Sequence, residues 1–186
     1  MKPILLQKLR AVSLLAALLS FSPWSFADSP DATTANFKTV GEGNYSYWLW
    51  DLYHARLQTL DGRFVDYQQS APLQLELTYA RDITKQEFID ATLEQWKIQQ
   101  GAVLKAHKIW AGELSALWRD VKKGDKLTAV LRSDGIVQFY FNGESLGSTT
   151  DPAFGHTFFD IWLSEKTTAP KLRKQLLALN ARDENR

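Results

Sequence analysis

The order in which the chain changes its hydrophobic period is the feature that most restricts its fold. Two alternating, strand-like segments come first, two helical segments follow, and three short strand patterns then precede two more helices. Single strands do not alternate with single helices, so the pattern predicts an α+β fold with an antiparallel sheet. Strands are expected at about residues 44–59, 73–79, 127–132, 136–141 and 145–148, and helices at about 84–100, 103–118, 152–162 and 170–180.

The boundaries of these elements have local signals. Thr84 and Glu87 have the spacing of a capping box, in which each side chain satisfies a backbone N–H at the start of a helix. Asp151 and Pro152 predict another helix start, with proline at the first helical position. Gly101 separates the two central helices.

The N-terminus has the pattern of a secretory signal. Three basic residues in the first ten precede an apolar run at 11–21, and the tripeptide Ser-Phe-Ala at 25–27 puts small side chains at a cleavage site. The apolar run is shorter than the roughly 20 residues needed to span a bilayer. We therefore predict a signal peptide at 1–27, cleavage near Ala27, and a periplasmic or secreted product without a transmembrane segment. The alternative is an uncleaved N-terminal anchor.

The mature chain is expected to form one domain. Residues 28–36 are polar and predict a flexible leader, and residues 37–182 form the domain. Cleavage removes three of the 22 basic residues and none of the 21 acidic ones, which leaves a slightly acidic protein. Such a charge gives no electrostatic reason to expect nucleic-acid binding. Because the chain has no cysteine, disulfides and thiolate metal sites are excluded.

The sequence contains no established catalytic motif. No segment matches a phosphate-binding loop, a nucleophile elbow or a zinc-protease helix. The histidines, His54, His107 and His156, have no carboxylates at the spacing of metal ligands. We therefore expect neither a metal nor a cofactor, and no residue is assigned a catalytic role.

Two features leave a functional and a structural interpretation open. The mature chain has six tryptophans, which with Tyr45, Tyr47 and Tyr53 either line a ligand pocket or form an aromatic core. Arg81 and Asp82 stand where a strand ends and a helix begins. They either form the rim of a pocket or make local caps and ion pairs.

Six motifs follow one another along the chain: Gly41-Glu42-Gly43, WDLYHARLQT, LELTYARDI, DVKKGDKL, FYFNGESLG and DPAFGHTFFDIWLSEKTTAPKLRKQLL. Together they resemble the chalcone isomerase-like family, and more narrowly its exported bacterial branch. The resemblance implies an open-faced β-sandwich, a large antiparallel sheet covered by a layer of helices. Relatives include isomerases that cyclise chalcones, fatty-acid binders and bacterial members without the isomerase chemistry.

The resemblance also assigns positions in the cleft. The tyrosine and asparagine that hold the ketone in isomerases correspond to Phe88 and Gln95, and two cleft threonines correspond to Tyr53 and Ile161. Residues 44–46 stand where the cleft arginine is expected, and Arg56 lies too far along the strand to replace it. With two further residues near the helix start, the candidate ligand-binding residues are Tyr53, Tyr79, Arg81, Phe88, Gln95 and Ile161.

Three functions follow as hypotheses. The first is an exported, non-enzymatic protein that binds a small apolar or acyl-type ligand in an aromatic cleft. The second is an isomerase of the intramolecular lyase type that uses other cleft residues, such as Tyr53, Tyr79 and Arg81. The third is a structural or assembly protein of the cell envelope, for which the sequence shows no specific feature.

Overall fold

The computed structural model describes residues 36–47 and 50–179, except for the side chain of Tyr47. The predicted signal peptide at 1–27, the leader before residue 36 and the C-terminal tail lie outside the described residues. None of the helices in the described ranges is both long and apolar enough to cross a membrane.

The described part of the chain contains six strands, which form one sheet in which neighbours in sequence are neighbours in space. The strand order is β1-β2-β3-β4-β5-β6, and each neighbouring pair is antiparallel. This arrangement confirms the antiparallel sheet predicted from the alternating patterns. The strands are β1 (Lys38–Tyr47), β2 (Trp50–Thr59), β3 (Leu73–Tyr79), β4 (Lys126–Leu131), β5 (Val137–Phe141) and β6 (Glu144–Ser148).

The prediction of a single strand at 44–59 is wrong. This segment contains the end of β1 and all of β2, which pair from Lys38 opposite Thr59 to Tyr47 opposite Trp50. The alternation of apolar residues runs through both strands, and no Gly, Pro, Asn or Asp separates Tyr47 from Trp50. Without such a turn residue, periodicity alone cannot distinguish one long strand from a hairpin.

Five helices in the described ranges accompany the sheet. The predicted capping box is present at α2, where Thr84 Oγ1 accepts from the Glu87 N–H and the Glu87 carboxylate accepts from the Thr84 N–H. Gly101 ends α2 in the left-handed conformation. The helices are α1 (Tyr67–Ser70), α2 (Lys85–Gln100), α3 (Lys105–Leu117), α4 (Phe154–Leu163) and α5 (Pro170–Leu176).

Two helix starts differ from expectation. The single turn of α1 was not predicted; the Asp66 carboxylate caps it by accepting from the Gln69 N–H. Helix α4 begins at Phe154 rather than Pro152, because the Asp151 carboxylate accepts from the Ala153 N–H and closes a turn before the helix.

The helices cover one face of the sheet and leave the other open. In β3 the residues alternate between buried and half-buried positions, with the apolar side chains facing inward. At the β1 edge, a Cβ on Gly41 would lie 2.1 Å from the Gln175 carbonyl oxygen, so only glycine allows α5 to approach this closely. One helical layer on one antiparallel sheet is the open-faced β-sandwich expected from the sequence.

Candidate functional site

A cavity of about 370 Å³ lies between the sheet and the helical layer. Strands β1 to β4 supply its floor, α2 and α4 supply its walls, and the end of α3 and the segment before α5 complete it. Apolar and aromatic side chains predominate on its surface. The lining residues are Tyr45, Leu52, Tyr53, Leu77, Tyr79, Arg81, Asp82, Ile83, Glu87, Phe88, Ala91, Thr92, Gln95, Trp118, Leu127, Phe158, Ile161, Trp162, Thr168 and Ala169.

All six candidate residues from the sequence line this one cavity. They come from four elements that are distant in sequence: β2, the end of β3 with the turn after it, α2 and α4. The structure therefore brings the four positions assigned by the resemblance together with Tyr79 and Arg81, while their binding of a ligand stays a prediction. Arg56 is not among the lining residues, since it pairs with Glu42 at 2.7 Å on the open face of the sheet.

Aromatic rings form a continuous wall along the cavity. Tyr45 stacks on Tyr53 with ring centroids 5.2 Å apart, and Tyr53 meets the ring of Tyr79 edge-on at 6.0 Å. Phe88 then contacts Tyr79 at 5.0 Å and Trp118 at 5.6 Å, both edge to face. Such geometries are favourable for aromatic pairs, so the wall is rigid as well as apolar.

Two phenols in this wall have different hydrogen bonding. The Tyr53 hydroxyl accepts from Trp162 Nε1–H at 2.9 Å. The Tyr79 hydroxyl is buried and has no hydrogen-bond partner among the described residues. Burial raises the pKa of both phenols above the ordinary value, so both remain protonated donors at neutral pH.

Trp118 is a site residue that sequence reasoning missed. Its indole Nε1–H is also buried without a partner in the described part of the chain, and the residue lines the cavity. In sequence, Trp118 stands at the end of the helix predicted at 103–118 and has no motif around it. Its position as the C-cap of α3 gives no signal for an unpaired donor.

Charged side chains in the lining are confined to the rim. Arg81, Asp82 and Glu87 are exposed there. The Asp82 carboxylate accepts from the Lys123 N–H at 2.9 Å, so this residue lies on the rim and also makes a local contact. Hydrogen bonds from Thr84, and to a smaller extent the charge of Arg81, lower the pKa of Glu87. The carboxylate of Glu87 is therefore ionised at the mouth of the cavity.

The polar groups on the helical walls are few. Gln95 Oε1 accepts from the Thr168 hydroxyl at 2.8 Å, which ties α2 to the segment before α5. Phe88 has no hydrogen-bonding group. At this position, which the resemblance aligns with a ketone-holding tyrosine, the cavity therefore has no phenol donor.

The three histidines lie elsewhere. His54 Nδ1 contacts Asn44 Oδ1 at 2.8 Å, His107 is buried between Trp96 and Trp110, and His156 stacks on Tyr67. Within the described ranges, no group of three or more His, Asp or Glu side chains is arranged to hold a metal ion.

Comparisons with known proteins agree with this architecture. The family model described as chalcone isomerase-like matches residues 24–178. An uncharacterised protein of Haemophilus influenzae is 26% identical over 168 residues, which cover 89% of this chain and 76% of that protein. In fold, the chain is similar to a fatty-acid binding protein of Arabidopsis thaliana, with a TM-score of 0.58 and 10% identity. The match covers 78% of this chain and 88% of the plant protein.

Proposed function

The chain belongs to the chalcone isomerase-like family, and we propose that it is a non-enzymatic member that binds a small apolar or acyl-type ligand. The observation that carries this proposal is the cavity of about 370 Å³ with its aromatic wall. Protein interiors are close-packed, and voids larger than a water molecule are few. Ligand pockets start at about 300 Å³ and are mostly apolar with a few polar groups. The cavity has both the volume and the mostly apolar lining of a ligand pocket.

The distribution of charge favours an apolar ligand. Every charged residue of the lining is exposed at the rim, and the interior wall consists of aromatic, aliphatic and neutral polar side chains. Removing apolar surface from water contributes about 25 cal/mol per Å². An acyl chain would gain this energy along the wall without leaving a buried charge unpaired. The similar fold of a plant protein named for fatty-acid binding supports the acyl class.

The same lining gives little support for catalysis. Asp82 and Glu87 are the only carboxylates among the described lining residues, and both accept hydrogen bonds at the exposed rim. Burial raises the pKa of the Tyr53 and Tyr79 phenols, so both stay protonated at neutral pH and cannot act as general bases. An isomerase is the second candidate because Tyr53, Tyr79 and Arg81 line the same cavity. Chalcone cyclisation faster than in buffer, and lost in Tyr79→Phe and Arg81→Ala, would favour it over simple binding.

We further propose that binding takes place outside the cytoplasm, after cleavage near Ala27. The basic N-terminus, the apolar run at 11–21 and the small residues at 25–27 support export. N-terminal sequencing of the protein from the periplasm tests this part, and an intact Met1 would contradict it.

A titration with cavity-blocking variants tests the binding function. Ala91 is an exposed residue of α2 that lines the cavity, so Ala91→Trp would fill its mouth. Ala116 is an exposed alanine of α3 outside the lining, and Ala116→Trp is the matched control. We expect saturable binding of medium-chain acyl compounds by the wild type and the control. Ala91→Trp should bind at least about tenfold more weakly, which corresponds to a loss of about 1.4 kcal/mol in binding free energy. Equal affinities in all three proteins, or no binding by the wild type, would contradict the proposal.

A further inference from the structure

The side chains on the inner face of the sheet stand in rows that cross the strands. The first row consists of Tyr45, Tyr53 and Tyr79, which face one another in the strand register. In the second row, Leu77 of β3 is paired with Leu127 of β4. All five residues line the cavity. Because alternate residues of a strand face the same side and each residue adds about 3.3 Å, the second row lies about 7 Å further along the strands.

The mouth and the inner end of the cavity lie on opposite sides of the first row. Arg81 follows Tyr79 along the chain and is exposed at the rim. Leu77 precedes Tyr79 and is only 6% exposed, as is Leu127 opposite it. An apolar chain that enters past the rim therefore meets the two leucines last.

The core is close-packed beyond the two leucines. Leu75 and Ala129 form the next row on the same strands, and both are buried and lie outside the cavity lining. On the helical side, the ring of Phe158 lines the cavity. Phe139, which is fully buried and outside the lining, packs against that ring with 5.5 Å between centroids. A chain that reaches this end has no space to extend further.

We propose that the Leu77–Leu127 pair sets the longest apolar chain that the cavity accepts. The inference rests on the proposed binding function and specifies its ligand by length. Each methylene group that leaves water on binding strengthens affinity about fourfold. This gain ends when the chain reaches the two leucines, and any further methylene stays in water at the mouth.

The charge of the lining orients a chain that carries an ionised head group. Arg81 is the only basic residue among the described lining residues, and it is exposed at the rim. An ionised group taken out of water needs a buried counter-charge to offset its desolvation. The head group of an alkanoate therefore stays at the mouth, and a longer alkanoate reaches deeper until it meets the leucines.

A series of alkanoates of increasing length measures this limit. The probes are hexanoate, octanoate, decanoate, dodecanoate, tetradecanoate and hexadecanoate. They are titrated into the mature wild-type protein with tryptophan fluorescence as the reporter, since Trp118 and Trp162 line the cavity. We expect affinity to rise about fourfold per methylene up to one chain length and to stay constant beyond it. A plot of affinity against length should therefore show a break.

Substitutions at Leu127 should move the break in opposite directions. Leu127→Ala opens space at the inner end, so the break should shift to a chain longer by about two carbons. Leu127→Phe fills part of the cavity, so the break should shift to a chain shorter by about two carbons. Leu77→Ala on the neighbouring strand should act in the same direction as Leu127→Ala.

A matched control separates this effect from general loosening of the core. Leu131 is a fully buried leucine of the same strand as Leu127 and lies outside the cavity lining. Leu131→Ala should lower stability and leave the break at the wild-type length. Thermal unfolding shows which variants are folded. Because Leu127→Phe fills space and the alanine variants remove it, the proposal is tested even if one of them does not fold.

The outcomes distinguish the length limit from binding itself. If the break keeps its wild-type length in the Leu77 and Leu127 variants, or moves equally in Leu131→Ala, the length proposal is wrong while apolar binding stands. If affinity rises up to hexadecanoate without a break, the leucines do not close the cavity and the proposal is also wrong. If no alkanoate binds the wild type, the binding function fails as well.

Discussion

The aromatic layer between sheet and helices has two ends that differ in how their side chains are used. At the end near α3 and β5, Trp96 and Trp110 donate to protein acceptors. Their rings pack edge to face on Phe154 at about 6 Å. At the other end, Tyr79 and Trp118 border the cavity and have no partners in the described structure. We call these regions the packed end and the cavity end.

The difference teaches how to separate aromatic residues that hold a fold together from those available to a ligand. From composition alone, the tryptophans either line a ligand pocket or form an aromatic core. The aromatic residues of the packed end stabilise the fold, because their rings are buried and close together and the indole N–H groups of Trp96 and Trp110 are hydrogen-bonded. The cavity end has two buried donors without partners in the described structure, and its neighbouring rings line an open cavity. The predictions below test this contrast, from the largest expected effect to the smallest.

The largest effect should come from the packed end. Trp96 is fully buried, so Trp96→Ala should lower the free energy of unfolding by about 3–5 kcal/mol. Phe88→Ala, which enlarges an existing cavity, should cost less because part of its ring has no packed neighbour to lose. Urea denaturation measures both values. A larger loss for Phe88→Ala would show that the cavity end also supports the fold.

The second prediction compares two phenols that line the cavity, those of Tyr53 and Tyr79. Tyr53→Phe leaves Trp162 Nε1–H without its acceptor and should cost about 1–3 kcal/mol of stability. Tyr79→Phe removes a hydroxyl without a partner and should change stability by less than about 0.5 kcal/mol, or increase it. Thermal and urea unfolding of ligand-free protein check this pair. Similar losses in both variants would mean that the Tyr79 hydroxyl is already satisfied.

The third effect depends on pH. Burial raises the pKa of Tyr79 in the folded protein above the ordinary value of about 10. Above pH 10 the unfolded chain therefore binds fewer protons than the folded one, and stability falls with rising pH by at most about 1.4 kcal/mol per pH unit for this group. The stability of Tyr79→Phe should fall less steeply between pH 10 and 11. Parallel curves for the two proteins would contradict a buried, protonated Tyr79.

The smallest effect should come from the open face of the sheet. Glu76 lies between Arg56 and Lys126, with N–O distances of 3.9 and 3.4 Å. Glu76→Gln should cost about 0.2–1 kcal/mol, the range for exposed ion pairs, and less at high salt. Ligand affinity should not change, since Glu76 is on the face opposite the cavity. A changed affinity would show that the two faces are coupled.

The sequence predicted much of the fold because its signals were local. Strict alternation defined β3, and the spacing of Thr84 and Glu87 defined the start of α2. β1 was missed in part because Gly41 and Gly43 weaken a strand pattern, although a Cβ at either glycine would collide with Gln175 of α5. That requirement is visible only in three dimensions.

The site likewise contains residues that the sequence predicted and a residue that it missed. Tyr53 and Tyr79 lie on inward positions of neighbouring strands and are directly paired, so motif positions were sufficient to place them together. Trp118 was not identified, because a missing hydrogen-bond partner depends on every element packed around the indole. Sequence patterns predict which side chains face inward and not which of them remain unsatisfied there.

Native mass spectrometry of the mature protein, purified without denaturation from its own cells, tests the central claim most directly. The account predicts that wild type and Ala116→Trp carry one apolar molecule per chain, and that Ala91→Trp carries none. Extraction of that molecule should yield a compound with an aliphatic chain. Wild-type protein that is as empty as Ala91→Trp, and that takes up no acyl compound when one is added, would contradict the claim that the cavity end is a binding site.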